Sequence, residues 1–205
     1  MENLIKRYPS LGTVSDEIKK ALELIINTYE NDGKLLLCGN GGSAADCDHI
    51  VGELMKSFKL KRPIDKEMAL RLAEYGDDGL HLANVLERGL PAISLCEHNS
   101  LSSAYGNDRD AYAVFAQQVL GHGKSGDTLI ALTTSGNSKN CVLAAIVAKS
   151  LGMNVISITG EGGGKISTLA DIAIKLPEHE TYLVQELTLP VYHYLCAKTE
   201  EHFFG

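Results

Sequence analysis

The stretch Leu35–Leu54, LLLCGNGGSAADCDHIVGEL, decides how the chain is read. Its first four residues form an unbroken apolar run, the signature of a strand covered on both faces. Gly39, Gly41 and Gly42 then impose a turn, and the residues beyond suit a helix carrying His49 and Glu53. Four residues apart, these two side chains share one helix face. A strand, a glycine turn and a helix in that order point free backbone N–H groups and the positive helix end at one place, which favours an anion.

The same grammar recurs along the chain. DTLIALTT (Asp127–Thr134) runs into TTSGNSKN (Thr133–Asn140), and a helical segment follows from Gly136 to Gly152. With the first strand at Lys34–Cys38, PAISLC (Pro91–Cys96), MNVISITG (Met153–Gly160) and ADIAIKLP (Ala170–Pro177) make five strands. Ser15–Glu30 reads as a helix with Ile18, Ala21, Leu22, Ile25, Ile26 and Tyr29 on one face. Further helices are expected from the glycine turn to about Phe58, from about Asp110 to Leu120, and from about Thr181 to about Glu201. Apolar strands alternating with helices imply α/β architecture: one three-layer α/β/α domain over residues 1–205, with a parallel sheet and right-handed crossovers. One segment breaks the alternation. DKEMALRLAEYG and GLHLANVLERG form a helical insertion at about 64–90, either packed on the domain edge or serving as a lid or subunit contact.

Bulk properties narrow the function. The 205 residues are 44% hydrophobic and carry a formal net charge of −7, which argues against nucleic-acid binding. Acidity does not exclude a phosphorylated metabolite, because backbone N–H groups can hold the anion. No apolar run is long enough to span a bilayer, and the start MENLIKRYPSLG lacks a signal-peptide core, so no membrane partner is expected. Cys38, Cys47, Cys96, Cys141 and Cys196 are scattered, as in a reducing cytoplasm.

Two phosphate motifs are decoys. Gly39, Gly41 and Ala44 match the dinucleotide pattern, but the register for a ribose-binding carboxylate falls at Lys59–Arg62, outside any strand. TGEGGGKIS (Thr159–Ser167) places Ile166 where a P-loop needs Ser or Thr, and reads as a flexible turn. Residues able to do chemistry cluster elsewhere. His49 and Glu53 are joined late in the chain by Gln185 and His193, eight apart on a helix. Imidazole and carboxylate suit a metal such as zinc, or acid–base work, or simply a surface pair or a buried hydrogen bond.

Taken together, these motifs resemble the sugar isomerase (SIS) domain family, and within it the phosphoheptose isomerases. CGNGGSAADCDHIVGEL is similar to that family's CGNGGS…H…E segment, TTSGNSKN to its STSGNS loop, and Gln185 and His193 to its Q-x7-H spacing. YGND (Tyr105–Asp108) and the TGEGGGK turn have counterparts as well. The resemblance implies a flavodoxin-like core in a zinc-binding cytoplasmic homotetramer, with one zinc per subunit. The activity implied is conversion of sedoheptulose 7-phosphate to D-glycero-D-manno-heptose 7-phosphate for surface polysaccharide. Metal ligands are implied at His49, Glu53, Gln185 and His193. Substrate contacts are implied at Asn40, Gly41, Gly42 and Ser43, at Asn107 and Asp108, and at Thr133, Thr134, Ser135 and Ser138, with Glu53 and Gln185 beside them. Glu53 and His193 are the expected acid–base pair, working through an enediol.

Eight residues of straight helix span about 12 Å. Gln185 and His193 therefore reach one metal only if the helix bends, as at Pro190, or if two subunits build the site. Three positions depart from the family: Ser57 stands in place of an arginine, Thr133 replaces a serine, and the insertion is extra. Two rival functions follow, an isomerase of another sugar phosphate and a non-catalytic SIS protein that binds a replication initiator. Retention of Glu53, Gln185 and His193 together favours the enzyme over the second.

Overall fold

The computed structural model describes residues Met1–Gly205. Its centre is a five-stranded parallel sheet in the order β2-β1-β3-β4-β5. The strands are β1 (Leu35–Gly39), β2 (Ala92–Ser94), β3 (Thr128–Leu132), β4 (Asn154–Gly160) and β5 (Ile172–Leu176). All residues of β1 and β3 are buried, as expected of central parallel strands between two helical layers. Alternation along each strand divides the core. Leu35, Leu37, Ile130 and Ile158 face α2 (Ser15–Glu30), α3 (Gly42–Met55) and α9 (Thr181–Phe204). Leu36, Leu129, Ala131 and Val155 face α7 (Val114–His122) and α8 (Lys139–Ser150). The expected three-layer, flavodoxin-like arrangement is the one observed.

Several boundaries differ from those read in the sequence. The strand expected at Pro91–Cys96 shortens to Ala92–Ser94 at the sheet edge. The helix expected near Asp110 begins at Val114, after α6 (Asn99–Tyr105) and a π-helical turn at Gly106–Asp110. Neither of these has a buried residue, so no apolar period announced them. A short N-terminal helix α1 (Glu2–Arg7) was likewise unmarked. The insertion forms α4 (Lys66–Ala73) and α5 (Gly76–Val85), which pack on each other and leave Leu70 and Tyr75 70% and 80% exposed.

The helix carrying His49 and Glu53 stops at Met55, short of Phe58, for an identifiable reason. Arg62, fully buried, donates from its guanidinium to the carbonyl oxygens of Leu54 (2.6 Å) and Glu53 (3.0 Å). These are among the last carbonyls of α3, which have no partner within the helix. The same side chain pairs with the buried Glu200 of α9 at 2.8 Å. Glu200 also accepts from the backbone N–H groups of Phe58 (2.8 Å) and Lys59 (2.7 Å). The Phe204 ring lies 4.8 Å from both the Arg62 and Arg88 guanidinium carbons. One buried ion pair thus ties the end of α3 to the end of α9.

Burial alone would raise the Glu200 carboxyl, but the Phe58 and Lys59 N–H groups and Arg62 offset it and leave it below the ordinary 4.5. A depressed carboxylate contributes stability that is present above about pH 4.5 and is lost as pH falls through its folded value. Glu200→Gln leaves Arg62 buried without its counter-charge, and is expected to lower unfolding free energy at pH 7 by about 3–5 kcal/mol. Urea denaturation at pH 7 and at pH 3.5 measures this, and the gap between variant and wild type should narrow at the lower pH.

Candidate active site

In an open parallel sheet the crevice lies beyond the carboxyl ends of the strands where their order reverses. Here that point falls between β1 and β3, with β2 on one side and β4–β5 on the other. The two glycine-bearing loops found in the sequence leave these two strands. Asn40 and Asn140 bridge them with reciprocal amide hydrogen bonds, Asn40 Nδ2 to Asn140 Oδ1 at 3.0 Å and Asn140 Nδ2 to Asn40 Oδ1 at 2.8 Å. Ser43 is buried at the start of α3, while Asn40, Gly41 and Gly42 are exposed at the rim. In the second loop Thr133 and Ser138 share a hydroxyl hydrogen bond of 2.9 Å, Ser135 is exposed and Thr134 is half-buried.

The TGEGGGK turn is braced against this second loop, and so is less free than the sequence suggested. Lys165 N–H donates to Asn137 Oδ1 at 3.0 Å, and Ile166 N–H to the Gly136 carbonyl at 3.0 Å. Gly136 has φ of +66°, and a Cβ there would meet the Gly163 oxygen at 2.0 Å. No other residue fits.

The second half of the site lies where α3 meets α9. His49 Nε2 is 3.1 Å from Glu53 Oε1, and the His49 and His193 rings stand edge to face with centroids 5.1 Å apart. Burial, with His49 second, lowers the His193 pKa and favours its neutral form. His193 Nε2 is buried without any hydrogen-bond partner. On the far side of His49, Nδ1 lies 2.9 Å from the Tyr192 hydroxyl, which also reaches Asp46 Oδ1 at 3.3 Å. Burial, and then the Asp46 charge, raise the Tyr192 pKa, so the phenol keeps its proton.

The structure therefore brings His49, Glu53 and His193 together. Gln185 sits two turns away on α9, where a Cβ on Gly42 would lie 2.6 Å from its Nε2. α9 continues unbroken through Pro190 from Thr181 to Phe204. Within one chain, no three His, Cys, Asp or Glu side chains gather as a metal centre requires. The donor chemistry nonetheless fits a cation: two imidazoles and a carboxylate, one ring nitrogen being buried and unpartnered. Asn107 and Asp108 lie exposed on the π-helical turn, hydrogen-bonded to each other at 2.9 Å. Ser57, beyond the end of α3, donates to Glu87 from its N–H (2.8 Å) and its hydroxyl (2.5 Å) and so ties down the insertion.

Asn140, Asp46 and Tyr192 were not singled out in the sequence. Asp46 carried a signal, since it lies three residues before His49 on the same helix face. Tyr192 carried none, because a neighbour of His193 is expected to point elsewhere.

Comparison with known proteins agrees with this geometry. Two SIS domain family models match, one over residues 4–89 and the other over residues 109–197. A phosphoheptose isomerase of Helicobacter pylori strain P12 is 39% identical over 194 residues, covering 95% of this chain and 88% of the relative. One from Akkermansia muciniphila is 32% identical over 198 residues, covering 97% and 92%. The solved phosphoheptose isomerase structure from Neisseria gonorrhoeae superposes with a TM-score of 0.76 at 29% identity, covering 98% of this chain and 94% of that one. For that from Francisella tularensis the TM-score is 0.78 at 28% identity, with the same coverage. The chain belongs to the SIS domain family, in its phosphoheptose isomerase branch.

Proposed function

We propose that this protein is an aldose–ketose isomerase that converts sedoheptulose 7-phosphate to D-glycero-D-manno-heptose 7-phosphate. The observation that carries the reading is that one chain supplies both two anion-receptive loops at the sheet's switch point and a His49–Glu53–His193 cluster on the adjoining helices. The loops at residues 39–43 and 133–138 receive the sugar phosphate through backbone N–H groups and the hydroxyls of Ser43, Thr134, Ser135 and Ser138. Asn140 holds Asn40 in place across the two loops. Asn107 and Asp108 are assigned to the sugar hydroxyls.

Isomerisation moves a carbonyl from C2 to C1. A base removes the C1 proton, an enediol forms, and the proton returns to C2 while another moves between the two oxygens. Glu53 is assigned to the carbon proton, its carboxylate being held between His49 and Lys56 at 3.1 and 3.4 Å. His193, with its lowered pKa and unpartnered Nε2, is assigned to the proton exchange between oxygens. A zinc ion held by His49, Glu53, Gln185 and His193 would polarise the carbonyl and stabilise the developing oxyanion.

The site is assigned to an interface between subunits of a homotetramer. Gly42 and Glu53 are eleven residues apart on α3, about 16 Å along the axis. That is longer than an extended heptose 7-phosphate, so the phosphate loops of one chain serve the Glu53–His193 cluster of another. A groove of about 830 Å³ opens beside His193 between α1 and α9, lined by none of the phosphate-loop residues. No helix is long and apolar enough to cross a membrane, and the protein is assigned to the cytoplasm.

Purified zinc-loaded protein is expected to turn over sedoheptulose 7-phosphate, and Glu53→Gln to lower kcat at least about 100-fold with the fold retained. No turnover by either would count against the reading. Asn140→Ala is expected to raise KM about 3- to 10-fold with a smaller change in kcat, since only one hydrogen-bonded lash is lost. Specific activity should fall on dilution through the range where subunits dissociate, which sedimentation velocity locates.

A further inference from the structure

We propose that Asp46 and Tyr192 are positioning residues that act through His49: their hydrogen-bond chain decides which ring nitrogen of His49 is bare, and so how tightly the site holds its metal. The inference rests on the zinc reading given above. Tyr192 is only 1% exposed, and its hydroxyl lies between His49 Nδ1 at 2.9 Å and Asp46 Oδ1 at 3.3 Å. On the other edge of the ring, Nε2 lies 3.1 Å from Glu53 Oε1.

A phenol has one proton to donate, and a neutral imidazole has one N–H. Two protons shared over three short contacts allow two arrangements. In the first, Tyr192 donates to His49 Nδ1, and His49 donates from Nε2 to Glu53. Nε2 then has no lone pair to offer a cation. In the second, Tyr192 turns its O–H to Asp46 and accepts from His49 Nδ1–H, which leaves Nε2 bare beside the Glu53 carboxylate. Two lone pairs facing at that distance repel, and a cation relieves the repulsion.

The first arrangement therefore belongs to the metal-free protein and the second to the loaded one. On loading, the Nε2–H bond breaks and an Nδ1–H bond forms, while the phenol rotates and keeps its proton. No net proton leaves the ring. Asp46 is what makes the second arrangement accessible, because without it the phenol proton has no acceptor in a buried position. Carboxylate chains behind a ligating histidine typically alter metal affinity 10- to 100-fold.

The test uses full-length protein and zinc alone. Zinc affinity is measured by competition with a chromophoric chelator for wild type, Tyr192→Phe and Asp46→Ala. The tautomer of His49 is read from its ring nitrogen-15 shifts with and without zinc. Both variants are expected to bind zinc about 10-fold or more weakly, and wild-type His49 to move its proton from Nε2 to Nδ1 on loading. Wild-type zinc affinity in both variants, or an Nε2 proton in the loaded wild type, would overturn the inference. Tyr192→Phe keeps the buried ring, and Asp46, half-buried on α3, carries the test if that variant does not fold. Wild type that takes up no zinc would overturn the zinc reading and this inference with it. Tight zinc binding by wild type and both variants alike would overturn this inference alone.

Discussion

The buried Arg62–Glu200 pair holds the two halves of the site in register. α3 brings His49 and Glu53; α9 brings Gln185 and His193. The pair joins the far ends of the two helices. Arg62 spends its donors on the α3 carbonyls and on Glu200, and Glu200 fills its lone pairs with N–H groups of the intervening loop. A buried ion pair stabilises little unless its remaining valences are met, and these are met. The α3 cap, the end of α9 and the root of the insertion all depend on it.

The opposite end of α3 is fixed by different physics. Gly42 admits the Gln185 side chain at a distance that any Cβ would forbid, so α9 lies close against the first turn of α3. Asn40 and Asn140 then lash the two anion-receptive loops together. The loops are thereby held as one surface, which would reduce the entropy lost if they receive the sugar phosphate as proposed.

Much of this was legible in the sequence. The unbroken apolar runs gave all five strands, and the glycine turns gave the ends where a site could form, because a covered parallel sheet leaves few alternatives. His49, Glu53 and His193 stood out by helical spacing and proved to be neighbours. Other features depended on tertiary partners. The helix end at Met55 follows from Arg62 reaching back, and local pattern does not encode that. α6 and the turn at Gly106–Asp110 bury nothing, so no periodicity marked them. Ser57, read as a departure from the family arginine, is explained by its two hydrogen bonds to Glu87 of the insertion, a contact between segments thirty residues apart. Tyr192 faces His49 from a position that helical spacing assigns elsewhere, so this contact is set by the tertiary packing of α9 on α3 and not by local pattern.

The central claim is proton transfer through an enediol at the Glu53–His193 cluster. Its most direct test is turnover of sedoheptulose 7-phosphate in deuterium oxide, with the heptose product analysed by NMR. The account predicts deuterium from solvent at C2 of the product, because the carbon proton passes through an exchangeable carboxyl group. Product carrying only the original C1 hydrogen at C2 would mean that the carbon proton never resides on an exchangeable carboxyl group, and would contradict it.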